Sequence, residues 1–421
     1  MYEVLSSYLE NGLKIIFHPL RNTKTVSAGI WVKQGSKYES DQTNGISHLI
    51  EHLLVNASNT NNTKYKNIMN EIEFSGVQYN ATITKEYTYY YFTGLKSKLD
   101  IMIEALACIV IGNKDINKKK LNDEKAVVRQ EILTYYSSLN QIVERTNQAM
   151  WGNMDVGRII VGNQDNIDKI DYEKIQETIQ ESYTPENSTI IIVGDVEYKE
   201  VADLIVEKLS CWNDVETRRY NDVVKSVPGI YINNTNGKTS ALSIGFRLND
   251  DYKKKIIPIE IISSILGNPG LDSRIIKKVR IERGLAYNIN SFITRYTKRG
   301  TLAFSVITSN ENVEEVIKLI LEEISLVKEK FFDDDEIRKA KNILETQAFL
   351  KMNDINKHLK FLGECSISNE IYSLENEIRM IRKCSSELIK DVAEEIFVND
   401  NIGLAAIGDF NSNNVVELIS I

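Results

Sequence analysis

Histidine is scarce in this chain: four in 421 residues, at His18, His48, His52 and His358. Cysteine is equally scarce, and Cys108, Cys211, Cys365 and Cys384 are scattered with no C-x-x-C pair. That excludes a disulfide framework and a cysteine-based zinc knuckle; the thiols read as isolated groups, buried or at the surface. Long apolar runs are missing too, and "IEALACIVIG" is too short to span a bilayer. The opening "MYEVLSSYLENGLKIIF" lacks the basic start, apolar core and small-residue cleavage site of a signal peptide. A net charge of -8 argues against general nucleic-acid binding and, weakly, favours basic peptides. These absences leave a cytoplasmic protein with neither membrane nor nucleic-acid partner as the expectation. An apolar content of 42% and a charged content of 26% suit a globular protein, and the length suits two to three domains.

What is present stands out against that scarcity. Half of the histidines lie within five positions, in "GISHLIEHLLV" from Gly45 to Val55. Ile46, Leu49, Ile50, Leu53 and Leu54 recur at helical spacing. On a helix, His48 and His52 share one face, so one metal ion reaches both imidazoles. Glu51 flanks that face and is placed to accept a proton from water. The spelling H-x-x-E-H is the inverzincin motif. The bland alternative is a solvated polar stripe, against which the apolar flanks argue.

The chain also repeats itself. "NSTIIIVGDV" from Asn187 is echoed by "NIGLAAIGDF" from Asn401, "VSAGIWVKQGS" from Val26 by "ALSIGFRLNDD" from Ala241, and "SGVQYNATIT" from Ser75 by "RGLAYNINSF" from Arg283. Three echoes in one order at nearly one spacing indicate a duplicated domain. The boundary falls in the polar stretch after Trp212: residues 1–212 form one domain, 213–228 a linker, and 229–421 a homologous domain that lacks the zinc motif. In the first half, strands are expected near Leu13–His18, Val26–Lys33 and Thr189–Val193, and a hairpin over "VQYNATIT" and "YTYYYFTGL". Helices are expected from about Lys98 to Ile111 and from Asn117 to Met150. The second half repeats this with a helix around Pro258–Leu266, a hairpin over Ala286–Ile307 and a helix starting at "DDDE". The class is α+β, with helices on one face of a mostly antiparallel sheet.

A catalytic zinc site needs a third protein ligand. The helix "NDEKAVVRQEILTYY" offers Glu124 and Glu131, seven apart on one face, with Val127, Val128, Ile132 and Leu133 expected in the buried part. Spacing alone does not choose between the two carboxylates, nor does it exclude two exposed charges.

"NGISHLIEHLLV", "GVQYNATITKEYTYYYF", "EKAVVRQEI", "STIIIVGDV" and "SRIIKKVRIERGLAYNI" together resemble the M16 metallopeptidases, the family of pitrilysin, insulin-degrading enzyme and the mitochondrial processing peptidase. The likeness covers nearly the whole chain, and the size is similar to the short bacterial M16B members. The resemblance implies two homologous LuxS/MPP-like domains. It also implies Zn²⁺ held by His48, His52 and Glu131, Glu51 as general base, and Glu124 as a carboxylate orienting a ligand. Asn80 and Ala81 match the family's substrate-binding strand, where a peptide adds along the edge. Arg280 and Tyr287 match an Arg-Tyr pair that contacts substrate, Tyr287 donating to the oxyanion. The implied activity is that of a zinc metalloendopeptidase closing a chamber on short or unfolded peptides, as a homodimer or as a heterodimer with a related M16B subunit. Leader-peptide removal within a hetero-oligomer, or a non-catalytic scaffold role, are the alternatives. The chain departs from the family at Val55, where phenylalanine is common, and at Pro269 and Asp272 in "GNPGLDSR".

Overall fold

The computed structural model describes residues 4–56, 62–112, 116–213, 227–268, 272–370 and 373–420. Most of the expected linker (214–226) and Pro269 lie outside the described residues.

Six strands, β1 (Leu5–Tyr8), β2 (Lys14–Pro19), β3 (Thr25–Val32), β4 (Gln78–Ile83), β5 (Thr88–Leu95) and β6 (Ser188–Gly194), form one sheet in the order β1-β2-β6-β3-β5-β4. Five more, β7 (Ile230–Asn234), β8 (Thr239–Leu248), β9 (Ala286–Arg295), β10 (Gly300–Ser309) and β11 (Ile402–Gly408), form a second sheet in the order β7-β11-β8-β10-β9. Without β1 the two orders are the same. Each sheet has one parallel pair, β2 with β6 and β7 with β11, and is otherwise antiparallel. The duplication reaches the backbone angles. Gly76 and Gly284 both sit at φ +66°, and Gly194 and Gly408 at +155° and +156°. Side chains rarely adopt such angles, so the echoed glycines mark turns that both halves require. The strand β1 was not foreseen; its alternation is too short to register.

The chain divides into two compact units. The first comprises Met1–Thr134, Ile160–Asp222 and Leu350–Tyr372; the second comprises Tyr135–Ile159, Val223–Phe349 and Ser373–Ile421. Each unit thus includes a segment from the opposite half of the sequence. In the first unit, the helix Ile355–Ile367 packs on β3 and β6. In the second, the helix Ile142–Trp151 packs on β8 and β11.

These two helices correct the expectation of helices on one face only. In β3 and β6 nearly every residue is buried, and such strands need cover on both sides. Ile15, Phe17, Ala28, Ile30, Ile190 and Ile192 face one core, shared with the helices Ile46–Val55 and Leu99–Ala107. Ile16, Trp31, Tyr89, Ile191 and Val193 face the other, against Leu359, Leu362 and Ile367. The two remaining histidines belong to that second layer. His18 Nδ1 lies 2.5 Å from His358 Nε2, and both are buried. Burial first, with the charges of His18 and Lys351 after it, lowers His358 to about 3, which keeps its ring neutral.

Two further expectations are corrected. The single helix from Asn117 to Met150 is two, Lys118–Ser137 and Ile142–Trp151. Between them Ser138 takes up extended backbone, and its side chain accepts from Asn140 N. Such a serine competes with helix continuation. On Lys118–Ser137, Leu121, Val128 and Ile132 are buried, but Val127 and Leu133 are 47% and 52% exposed. The buried stripe runs through Leu121, Glu124, Val128 and Ile132, at helical spacing, which turns 127 and 133 outward. A polar residue holds a place in the buried stripe, and the apolar pattern misled for that reason.

Candidate metal and active site

The motif helix Ile46–Val55 begins at Gly45, whose φ of +100° ends the preceding turn. A Cβ there would meet Ile167 and the Val161 carbonyl. The helix has no cap from its own N-terminal side chain; Glu39 supplies one from outside. The buried Glu39 carboxylate accepts from Gly45 N (2.8 Å), Ser47 N (2.9 Å) and Asn44 Nδ2 (2.9 Å). An anion at a helix N-terminus satisfies orphan N–H groups and complements the dipole. Ile46, Leu49, Ile50, Leu53 and Leu54 are buried in the core of the first unit. The remaining face carries His48, Glu51 and His52.

The long helix Lys118–Ser137 is started by Asn117, which accepts from Lys120 N at 2.8 Å. It brings both candidate carboxylates to the histidines, but to different atoms. Glu131 Oε2 lies 3.1 Å from His48 Nε2 and 3.4 Å from His52 Nε2, and the two Nε2 atoms are 3.3 Å apart. Glu124 Oε2 faces the other side of the His52 ring, 3.5 Å from Nδ1. Glu51 Oε2 stands 3.9 Å from His52 Nε2. The structure therefore separates the two glutamates that spacing could not: Glu131 joins the lone pairs and Glu124 stands behind a ring.

The donor triangle fits zinc. A tetrahedral ion with arms of about 2.0–2.1 Å holds its ligand atoms about 3.3–3.4 Å apart. The separations of 3.1, 3.3 and 3.4 Å match that spacing closely. Among the described residues, His48, His52 and Glu131 form the cluster of three or more side chains with metal-ligand spacing. Zinc takes neutral imidazole nitrogen and carboxylate oxygen, the donors present here.

Electrostatics point the same way. Three carboxylates surround two imidazoles, and without a cation protons take its place. Burial opposes a charged His52, but the hydrogen bonds to Glu124 and Glu131 and the charge of Glu51 outweigh it and raise its pKa to about 10. The hydrogen bonds from His48 and His52 hold the Glu131 carboxyl far below the usual range. Burial raises Glu51, with His52 and His48 pulling it back and the charges of Glu131 and Glu124 adding to the rise. A carboxylate tuned upward is a stronger base than one in water.

The His52 side of the site has support that the sequence reading passed over. Asn56 Nδ2 donates to Glu124 Oε1 at 2.6 Å, and Lys120 Nζ donates to the Asn56 carbonyl at 3.1 Å. Lys120 is buried, which lowers it to about 8 against the pull of Glu124. An asparagine after a helix reads as a terminator, so no sequence signal marked it. By contrast, His48 Nδ1 is buried with no protein hydrogen-bond partner among the described residues.

The other expected residues are placed as follows. Asn80 and Ala81 lie on β4, which ends its sheet and pairs with β5 alone among the described strands. Asn80 is exposed, and its side-chain oxygen accepts from Ala81 N at 2.9 Å. In the second unit, Arg280 lies in the widely wound segment Lys277–Glu282 and Tyr287 on β9, the end strand of its sheet. The Arg280 guanidinium stacks over the Tyr287 ring, 4.3 Å from its centroid, and Tyr287 is 74% exposed. Cys108, Cys365 and Cys384 are buried free thiols and Cys211 is an exposed one. Among the described residues no helix is long and apolar enough to cross a membrane.

Comparison with known proteins places the whole chain. A family model described as "Insulinase (Peptidase family M16)" matches residues 14–164, and one described as "Peptidase M16 inactive domain" matches 169–344. An uncharacterized zinc protease of Bacillus subtilis is 23% identical over 401 residues, covering 93% of this chain and 95% of the relative. A probable mitochondrial-processing peptidase subunit beta of Arabidopsis thaliana is 23% identical over 422 residues, covering 95% of this chain and 77% of the relative. In fold, the crystal structure of a protease from Helicobacter pylori superposes with a TM-score of 0.88 at 18% identity, over 97% of this chain and 99% of that one. The two M16 models follow one another across residues 14–164 and 169–344, and the two sheets share one strand order: this protein belongs to the M16 peptidase family.

Proposed function

We propose that this chain is a zinc-dependent endopeptidase that cleaves short or unfolded peptides. The observation that carries the reading is the donor triangle of His48 Nε2, His52 Nε2 and Glu131 Oε2, sized for zinc, with the Glu51 carboxylate beside it. Relatives named as zinc proteases support it.

His48, His52 and Glu131 would hold the ion. Zinc supplies a Lewis acid that polarises a carbonyl and lowers the pKa of water to about 7. Glu51 then accepts the proton of the attacking water and passes it to the leaving amine nitrogen. Glu124 holds the proton of His52 on Nδ1 and so keeps Nε2 free as a donor. Peptide binds by strand addition to β4, whose outer edge has no partner among the described residues. Backbone pairing of that kind accepts many sequences, and Asn80 releases Ala81 N to it. We assign Arg280 and Tyr287 to substrate grip, Tyr287 donating to the oxyanion.

A second reading, action as one subunit beside a related M16 chain, is favoured by the subunit designation of the Arabidopsis relative. A peptide-library digest by the purified chain, with and without chelator and with its mass measured in solution, tests both. Chelator-sensitive cleavage by the chain alone supports the first reading. Activity that requires an added M16 partner supports the second, and no cleavage under either condition overturns both.

A further inference from the structure

The helix that carries the histidines and the helix that carries Glu131 are joined at their far ends by a polar bracket, and its centre is Asn56. Three of its groups point three ways. Its backbone N–H donates to the His52 carbonyl at 3.1 Å and closes the last turn of the motif helix. Its side-chain amide donates to Glu124 Oε1 at 2.6 Å. Its carbonyl accepts from Lys120 Nζ at 3.1 Å. Lys120 and Glu124 are one turn apart on the long helix, and Glu131 lies two turns beyond Glu124 on the same helix.

Geometry gives Asn56 more than an end-capping task. Glu124 is 3% exposed, and its Oε2 is what His52 Nδ1 faces. A carboxylate free to turn about its terminal bond does not hold a ring; the 2.6 Å amide contact on Oε1 fixes that turn. His48 has no equivalent polar support among the described residues, so the pointing of one imidazole rests on this chain of contacts.

Resting on the zinc reading above, we propose that Asn56 is a positioning residue for the metal site, acting on His52 through Glu124. The test is zinc affinity by competition with a chromophoric chelator, with the visible spectrum of the Co²⁺-substituted protein as a reporter of coordination. Outer supports of metal ligands are worth roughly 10–100-fold in affinity. Asn56→Ala is expected to weaken zinc within that range and to alter the Co²⁺ spectrum. Asn56→Asp keeps the shape but puts an acceptor against Glu124, and is expected to weaken zinc further. Tyr65→Phe is the control: Tyr65 Oη donates to the Val55 carbonyl at 2.9 Å and anchors the same helix end without touching Glu124. Its zinc affinity is expected to equal the parent's even if its melting temperature falls. Asn56→Ala combined with Glu124→Ala is expected to weaken zinc no more than Glu124→Ala alone. Parent-like affinity and spectrum in both Asn56 variants overturn the proposal, and so does a Tyr65→Phe loss as large as that of Asn56→Ala. Failure of the unsubstituted protein to bind zinc overturns the zinc reading itself, which keeps the two failures apart.

Discussion

In the first unit the helix after β3 carries His48, Glu51 and His52; in the second, the helix after β8, Ile256–Gly267, carries Glu260, Ser263 and Ser264 over the matching stretch. Around them the frames agree in strand order, parallel pair and glycine angles. The second helix is buried along most of its length; Ser263 Oγ donates to Ser291 Oγ at 2.9 Å, and Glu260 pairs with Arg295. Its Ser263 and Glu260 thus find a neutral and an oppositely charged partner. In the first unit three carboxylates crowd two imidazoles, and burial raises Glu51. The frame is complete without those charges; on the proposed reading they serve the cation they would bind. Buried charge that only a cation satisfies is a cost to the fold and a gain to the site.

That contrast can be broken most severely at Glu51. Glu51→Gln should reduce peptide cleavage by at least about 10²–10⁴-fold, the range of general-base contributions, with zinc still bound by elemental analysis. Because the folded pKa of Glu51 is raised, its charge opposes folding at neutral pH, and the substitution should leave the metal-free melting temperature equal or higher. Retained cleavage would remove the base assignment.

Tyr287→Phe in the second unit should lower kcat by up to about 10²-fold, as for one lost oxyanion donor, without changing zinc content. An unchanged kcat would confine catalysis to the first unit and sharpen the contrast further.

Protons should leave as zinc enters the first unit. His52, raised to about 10, is protonated in the metal-free protein at pH 8, so binding should release about one proton from it. Calorimetry in buffers of different ionisation enthalpy measures this, and the release should vanish as pH rises through 10. The sign for stability follows: with a folded pKa above the unfolded one, His52 stabilises the metal-free fold fully below about pH 6.5 and loses that contribution as pH rises through about 10. The smallest effect belongs to the second unit. Ser263→Ala removes one hydrogen bond, worth about 0.5–1.5 kcal/mol, and should leave zinc affinity untouched.

The sequence made some of this legible and hid the rest for physical reasons. The motif helix could be read because its residues interact within one or two turns, where spacing is geometry. The duplication could be read because glycine angles and strand ends constrain residue type. Glu131 could not be told from Glu124 by spacing, since both share a face; what separates them is which side of the His52 ring each reaches, and that depends on how two helices cross. The cover of β3 and β6 by Leu359 and Leu362 was hidden because it comes from far along the chain. Val127 and Leu133 misled because a buried glutamate occupies the stripe that apolar residues usually fill. Asn56 was passed over because its backbone role at the helix end is ordinary and its side-chain role needs a partner from another helix.

The central claim is that one zinc ion is held by two imidazoles of the motif helix and one carboxylate of the long helix. Zinc K-edge X-ray absorption on protein loaded with one equivalent tests it directly. The account predicts nitrogen and oxygen scatterers at about 2.0–2.1 Å with the imidazole pattern of two histidines, reduced to one in His52→Ala. A sulfur shell near 2.3 Å, or a spectrum that His52→Ala leaves unchanged, would contradict it.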